Sequence, residues 1–250
     1  MKRTLFILLV CPLLLLACSS KPAHYKVKVK AEYPHDPKAY TQGLFWHNGT
    51  LYESTGLKGH SSMRTVDLQT GKPLSRIDFS RKYFAEGSTV LGDRLYILTW
   101  QEHVAFIYDT KTLKYLKTYS YPREGWGLTT DGKSLIASDG SSRIYFLSPD
   151  FKLERTIDVK ADGRAISWLN ELEYIDGKIW ANVYTTDTIL IINPKDGAVE
   201  ALIDCRGLLP DKLRTAETDV LNGIAHNPAD GRIYLTGKNW KRLYEVELVK

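Results

Sequence analysis

A seven-residue pattern that recurs five times along the chain is the strongest constraint on its fold. In each copy a turn dipeptide such as Asn-Gly or Asp-Gly precedes an apolar pair and then a short strand. The copies are NGTLYES at 48–54, GDRLYIL at 92–98, DGKSLIA at 131–137, DGKIWAN at 176–182 and DGRIYLT at 230–236. Successive copies are 44, 40, 44 and 54 residues apart, measured at the same apolar position. A period of about 40–45 residues is typical of a four-stranded β-propeller blade.

The segments around each copy predict the other strands of the blades. Fourth strands are predicted at 73–79, 115–119, 153–159 and 199–203, whereas the last copy ends where the chain ends. The alternating segment 25–33 can supply the missing strand and so remove an exposed sheet edge. The sequence therefore predicts an all-β fold, a five-bladed β-propeller over residues 25–250, closed by pairing of the N-terminal strand with the last blade. The longer final step leaves an insertion at 208–219, where a short helix is expected to begin after a proline.

The N-terminus is typical of an export signal. Lys2 and Arg3 precede an apolar run at 5–16, which is shorter than the roughly 20 residues that a membrane-spanning helix needs. The run ends in LLAC, which resembles a bacterial lipobox, so we expect cleavage after residue 17 and lipid attachment to Cys18. A plain secretory signal is the alternative.

Residues 18–24 then form a lipidated tether, and the protein is expected to be anchored to a bacterial membrane and to face the periplasm. Ser19 after the lipidated cysteine favours the outer membrane. Two or more acyl chains would hold the protein firmly.

The charge balance argues against a nucleic-acid partner. Loss of Lys2 and Arg3 with the signal peptide lowers the formal net charge from +5 to +3. The lysines at 26, 28 and 30 alternate with valines, which is typical of one solvated strand face. Once Cys18 is acylated, Cys205 is the remaining thiol and is predicted to be a small buried hydrophobe. We expect one globular domain and a monomer.

Several short strings in the repeats carry a family resemblance. They are YTQGL at 40–44, YFAEG at 83–87, LTW at 98–100, EGWGL at 124–128, NELEY at 170–174, WANVY at 180–184, LNGIA at 221–225 and TGKNW at 236–240. In this order they resemble the plant and bacterial glutaminyl-peptide cyclotransferases, a family of five-bladed propellers unrelated to the zinc-dependent animal enzymes. The resemblance covers nearly the whole mature chain. It implies conversion of N-terminal glutamine in peptides or proteins to pyroglutamate with release of ammonia, and it implies no cofactor.

The resemblance also implies catalytic roles. Glu86 matches the family's essential carboxylate and would transfer protons as general acid and base. Asn170 and Lys238 match the groups that would stabilise the carbonyl oxygen as it gains negative charge. Taken without the resemblance, these residues could equally be an exposed loop acid, a turn-capping amide and a solvated strand-end cation.

Aromatic residues are the candidates for substrate binding. Such side chains suit a methylene chain and can stabilise an ammonium group. The predicted aromatic substrate-binding residues are Phe84, Trp100, Trp126 and Tyr184. Gln42 is added because it resembles a pocket residue of the family, although a ladder or channel hydrogen bond would explain it equally well. The plant pattern has a tryptophan where this chain has Tyr184, so substrate preference is open. The remaining tryptophans, Trp46, Trp168, Trp180 and Trp240, are predicted to be packing residues.

Two other functions stay open at this stage. A metal-dependent propeller lactonase or hydrolase could use Glu86, Asn170, Asp219 and Asn222 around a divalent cation. A non-enzymatic envelope propeller could bind a ligand with the same fold. The histidines at 24, 35, 47, 60, 103 and 226 show no paired zinc spacing, so we predict no metal site.

Overall fold

The computed structural model describes residues 21–250, and nearly all of its regular structure is β-strand. The N-terminal strand is β1 (Ala23–Pro34). Three four-stranded antiparallel sheets follow: β2 (Thr41–His47), β3 (Thr50–Thr55), β4 (Ser62–Val66) and β5 (Pro73–Asp78); β6 (Ala85–Leu91), β7 (Arg94–Thr99), β8 (Val104–Asp109) and β9 (Tyr115–Ser120); β10 (Leu128–Thr130), β11 (Leu135–Ser138), β12 (Arg143–Leu147) and β13 (Leu153–Asp158). A small hairpin comes next, made of β14 (Lys160–Ala161) and β15 (Arg164–Ala165).

The rest of the chain builds one eight-stranded sheet. Its strands are β16 (Leu169–Ile175), β17 (Lys178–Val183), β18 (Thr188–Ile192), β19 (Val199–Asp204), β20 (Leu221–Asn227), β21 (Arg232–Gly237) and β22 (Arg242–Val249), together with β1. The strand order is β16-β17-β18-β19-β1-β22-β21-β20. The predicted short helix is a 3₁₀ turn at Asp211–Leu213, and no helix within residues 21–250 could span a bilayer.

The strand β1 joins the two halves of this sheet. It pairs antiparallel with β22, from Lys26 opposite Val249 to Pro34 opposite Arg242. It also pairs in parallel with β19, which the sequence did not predict. The N-terminal segment thus completes the last group of strands, and both of its edges are hydrogen-bonded.

The first strand of each group of four is buried and faces a common axis. β2 contacts β6, β6 contacts β10, β10 contacts β16, β16 contacts β20, and β20 contacts β2. Apolar side chains fill the layers between neighbouring sheets, while the outer strands β5, β9 and β13 are mostly exposed. The fold is therefore all-β and propeller-like.

Two of the five turn dipeptides that mark the repeat close their hairpins in the conformation that Asn-Gly and Asp-Gly favour. Asn48-Gly49 and Asp176-Gly177 have positive φ at both residues, at 48° and 76° and at 48° and 77°. A type I′ turn needs this conformation, and its twist matches that of the flanking strands.

Cys205 is buried and free, as predicted. The predicted signal peptide and Cys18 lie outside the described residues.

Candidate active site

Irregularities in the inner strands direct the candidate site residues out of the sheets. The pairing register shifts between residues 41 and 43 in β2, between 85 and 88 in β6, between 169 and 172 in β16 and between 221 and 224 in β20. These bulges contain Gln42, Glu86, Asn170 and Asn222. A bulge releases a residue from the ladder and changes the direction of its side chain. The repeat therefore presents a polar residue at the same place in four inner strands.

A glycine follows the polar residue where the inner strands approach closely. A Cβ at Gly87 would lie 2.4 Å from the backbone nitrogen of Leu128, so no side chain fits there. The inner strand β16 has Glu171 at this place instead. Its carboxyl oxygens accept the backbone N–H groups of Leu44 at 3.2 Å and of Ile224 at 2.9 Å. Glu171 therefore connects β16 to β2 and β20 across the axis.

All eight candidate catalytic and substrate-binding residues line one cavity of about 290 Å³. Tyr40 and Trp168 line it as well. The full lining is Tyr40, Gln42, Phe84, Glu86, Trp100, Trp126, Trp168, Asn170, Tyr184 and Lys238. The polar members Gln42, Glu86, Asn170 and Lys238 are buried, whereas the aromatic members are half-buried or exposed. The cavity thus has a polar floor and aromatic walls.

Glu86 is held on the floor by an amide chain. Gln42 Nε2 donates a hydrogen bond of 3.2 Å to Glu86 Oε1. Asn222 Nδ2 lies 2.9 Å from the carbonyl of Thr41 and 3.4 Å from Gln42 Oε1. Because Gln42 accepts from Asn222, its amide nitrogen is directed at the Glu86 carboxyl.

The pKa of Glu86 reflects this environment. Burial raises the pKa of Glu86 well above its ordinary value of 4.5. The Lys238 ammonium opposes this increase, while the carboxylates of Glu124 and Glu102 add to it. A carboxyl group with a raised pKa keeps its proton at higher pH and is a stronger base than an ordinary glutamate.

Lys238 is a buried cation beside the aromatic wall. Its Nζ lies 4.8 Å from the ring centre of Tyr40 and 5.0 Å from that of Tyr184. Burial lowers the pKa of Lys238, whereas the carboxylates of Glu86 and Asp219 favour its charged form. The backbone is fixed because Lys238 N–H donates to the carbonyl of Val220 at 2.9 Å. An ammonium in this setting is a strong electrostatic partner for a developing anion.

Glu124 holds two tryptophans of the wall. Its Oε2 accepts hydrogen bonds from Nε1 of Trp100 at 2.8 Å and from Nε1 of Trp126 at 3.1 Å. The Trp100 ring also packs against Phe84, with ring centres 5.5 Å apart. Sequence reasoning did not single out Glu124, although it lies in the EGWGL string that indicated Trp126.

Tyr40 was missed and Trp168 was misassigned. The Tyr40 hydroxyl donates to Asp219 Oδ2 at 2.8 Å, and burial raises its pKa. The signal was present, since Tyr40 opens the YTQGL string. The prediction that Trp168 is a packing residue is wrong, because its exposed fraction is 56% and it lines the cavity.

The other three tryptophans are packing residues, as predicted. Trp180 and Trp240 are buried, and Trp46 stacks on Tyr234 with ring centres 5.3 Å apart.

Two of the residues suggested for a metal-dependent hydrolase, Asp219 and Asn222, have hydrogen-bond partners within the protein. Asp219 accepts from Tyr40, and Asn222 donates to backbone and to Gln42. Within residues 21–250 no group of three or more His, Cys, Asp or Glu side chains is arranged to hold a metal ion.

Comparisons with known proteins agree with the site geometry. Residues 5–248 match the protein family described as glutamine cyclotransferase. The glutaminyl-peptide cyclotransferase of Arabidopsis thaliana is 45% identical over 230 residues, which cover 89% of this chain and 71% of that protein. The crystal structure of Myxococcus xanthus glutaminyl cyclase superposes with a TM-score of 0.86 at 36% identity, covering 91% of this chain and 98% of that one.

A more distant likeness concerns the fold alone. The WD40 β-propeller domain of Doa1 has a TM-score of 0.50 at 11% identity, covering 82% of this chain and 62% of that one. The extent of the family match and the 45% identity to the plant enzyme together settle the family. The chain belongs to the glutamine cyclotransferase family.

Proposed function

We propose that this protein is a glutaminyl-peptide cyclotransferase that converts N-terminal glutamine to pyroglutamate and releases ammonia. The observation that carries the proposal is one cavity in which the buried side chains of Glu86, Asn170 and Lys238 lie beneath aromatic walls, in a chain of this family. The geometry of the site supports a specific division of roles among these residues.

Glu86 is the proton carrier in this proposal. The substrate's α-nitrogen forms a bond to the γ-carboxamide carbon of the same glutamine, and the bond from that carbon to the amide nitrogen breaks. The Glu86 carboxylate accepts the proton that the attacking nitrogen loses and returns it to the leaving nitrogen, which departs as ammonia. The raised pKa of Glu86 makes it a stronger base and allows it to hold the proton between the two steps.

Asn170 and Lys238 stabilise the carbonyl oxygen. The amide N–H of Asn170 and the ammonium of Lys238 are donors for the charge that develops there, and burial strengthens both interactions. The scheme uses no metal ion, so a chelator is expected to leave turnover unchanged. A metal-dependent propeller hydrolase would lose its activity under the same treatment.

The aromatic walls bind the rest of the glutamine. Phe84, Trp100, Trp126 and Tyr184 surround the space through which the side-chain methylenes reach the floor. The faces of Tyr40 and Tyr184 already contact the Lys238 ammonium, so the same rings can also stabilise the substrate's amino group.

The direct test uses a peptide that begins with glutamine. The protein is incubated with the peptide, and mass spectrometry follows the loss of one ammonia molecule. We expect loss far above the spontaneous rate and no change with EDTA. Loss at the spontaneous rate would overturn the assignment in favour of a binding propeller.

Three further features belong to the same proposal. We infer that the fold has five blades, because five inner strands contact one another in a ring and the sequence has five repeats. We further propose that the protein is a monomer, that it is exported and faces the periplasm, and that lipid on Cys18 anchors it to a bacterial membrane, with the outer membrane favoured. Radioactive palmitate labelling of the wild type and of Cys18→Ser tests the anchor, and light scattering tests the monomer.

A further inference from the structure

Trp168 stands out because a large apolar side chain is exposed at the mouth of the cavity. Its exposed fraction is 56%, although it lines the same cavity as the buried Glu86 and Asn170. The ring centres of Trp126 and Tyr184 each lie 6.1 Å from that of Trp168. The three rings form a continuous surface that leads from the half-buried wall to the solvent-exposed rim.

The backbone of Trp168 is held in an unfavourable conformation. Its φ is 68°, in the left-handed region that bulky residues avoid. Two hydrogen bonds hold it there: Trp168 N–H donates to the carbonyl of Gly140 at 2.7 Å, and Tyr184 N–H donates to the carbonyl of Trp168 at 2.8 Å. The indole is thus presented by two loops that also position the wall, and it is not a side chain left loose at the surface.

The proposed reaction determines which part of the substrate lies next to Trp168 at the mouth of the cavity. The α-nitrogen and the γ-carboxamide must both reach the polar floor, so the carbonyl of the glutamine, and the residue bonded to it, point towards the mouth. The first atoms beyond the glutamine therefore lie next to the rim that carries Trp168. An exposed indole face there contacts an apolar side chain and gains hydrophobic and ring-stacking energy.

We propose that Trp168 forms the subsite for the second residue of the substrate and that it favours peptides with a bulky apolar or aromatic residue after the glutamine. This inference rests on the proposed function. The specificity it describes is separate from the chemical step, since Trp168 lies at the rim and the proton-transfer group lies on the floor.

The test compares kcat/KM for glutaminyl-phenylalanyl and glutaminyl-glycyl peptides. Wild type is expected to prefer phenylalanine, and removal of the indole is expected to lower that preference by about tenfold, mostly through KM for the phenylalanyl peptide. Trp168→Gly and Trp168→Asn are the informative variants, because both residues accept a positive φ and so keep the backbone fold. Trp168→Phe retains a ring and is expected to retain most of the preference.

Leu74→Ala is the matched control, because Leu74 is an exposed apolar residue on the outer strand β5. It is expected to leave both peptides unaffected. An equal loss on both peptides in Trp168→Gly and Trp168→Asn, or an unchanged preference, would overturn the subsite. Turnover of neither peptide by the wild type would instead overturn the proposed function.

Discussion

Glu86 lies where burial and charge act on one carboxyl group in opposite directions. Burial and neighbouring carboxylates raise its pKa, and the Lys238 ammonium restrains that increase. Gln42 donates to one of its oxygens, and the backbone carbonyl of Glu86 accepts from Ser54 Oγ at 2.6 Å. The residue is therefore fixed in position, and its raised pKa makes it a stronger base, as the proposed role of proton carrier requires.

Substitution of Glu86 by glutamine removes proton transfer with little change in volume. We expect kcat/KM on a glutaminyl peptide to fall by about 10²–10⁴-fold, with the far-UV circular dichroism unchanged. The control is Glu154→Gln, which neutralises an exposed carboxylate on the outer strand β13. Near-normal turnover in Glu86→Gln would remove Glu86 from the mechanism.

Lys238 is expected to affect the pH profile as well as the rate. In the proposed mechanism the base form of Glu86 is the active form for kcat/KM, so the acidic limb of the profile is expected to follow the pKa of Glu86 and to lie above its ordinary value of 4.5. Because the ammonium lowers that pKa, Lys238→Met is expected to move the limb to higher pH and also to lower the maximal rate. Lys238→Arg retains the charge and should leave the limb near its original position. A limb that does not move in Lys238→Met would show that the two groups are not coupled.

At the scale of elements, the bulged inner strands bring distant repeats together. Gln42 and Glu86 lie at equivalent places in β2 and β6, and Asn170 lies at that place in β16. In β16 the residue after Asn170 is Glu171, at the place where β6 has the closely packed Gly87. The Glu171 carboxyl accepts hydrogen bonds from the backbone of two other inner strands, β2 and β20. The position of Asn170 relative to Gln42 therefore depends on the carboxyl of Glu171.

Loss of the Glu171 carboxyl would leave two buried backbone donors without a partner. Each costs about 1–3 kcal/mol, so we expect Glu171→Ala to lower the free energy of unfolding by about 2–6 kcal/mol in urea titrations. Glu171→Gln is also expected to destabilise, because its amide N–H₂ would face a backbone N–H. The comparison variant is Glu200→Ala, which removes a partly exposed partner of Lys178. A loss for Glu171→Ala no larger than that of the control would contradict the bridging role.

Across the whole molecule, closure depends on contacts between the two ends of the chain. β1 pairs with β22, and His35 just after β1 forms a buried link between three segments. His35 Nδ1 donates to the carbonyl of Trp240 at 2.7 Å, and Nε2 donates to Glu53 Oε1 at 2.9 Å. Both ring nitrogens face acceptors, so both carry a proton and the ring is an imidazolium. Burial opposes this charge, but the Glu53 carboxylate outweighs burial and raises the pKa of His35.

Glu53 is the shared anion of this closure. It also accepts two hydrogen bonds from the buried Arg64 guanidinium, at 2.9 and 2.8 Å. Glu53→Gln would leave buried His35 without its carboxylate and buried Arg64 with Asp36 alone, and we expect a loss of about 3–5 kcal/mol in the free energy of unfolding. Glu247→Gln is the control, because Glu247 pairs with exposed lysines of β1 and should change stability little. Equal effects of the two variants in urea titrations would refute a special role for the buried network.

The part of this protein that was predictable from sequence is the part that depends on local chemistry. The five turn dipeptides and the alternating segments predicted the strands closely: the segments 73–79 and 199–203 correspond to β5 and β19, and 25–33 lies within β1. Pairing of β1 with β22 was predicted because an unpaired edge is costly. Its second pairing, with β19, depends on how neighbouring sheets meet, and no local pattern encodes that.

The candidate site also has features that the sequence predicted and features that only the tertiary structure decided. The motif strings identified Glu86, Asn170 and Lys238 as candidates, since the repeat places each near the end of a strand and the family resemblance gives each a chemical role. The partnerships among them were decided by the tertiary structure, because Gln42 meets Glu86 across 44 positions and Tyr40 meets Asp219 across 179. Trp168 makes the same point: a tryptophan in a sequence is most often a core residue, and its exposure at the rim follows from a backbone conformation that two distant loops impose. Local periodicity and turn chemistry thus determine the strands, whereas the closing of the ring determines which side chains share a cavity.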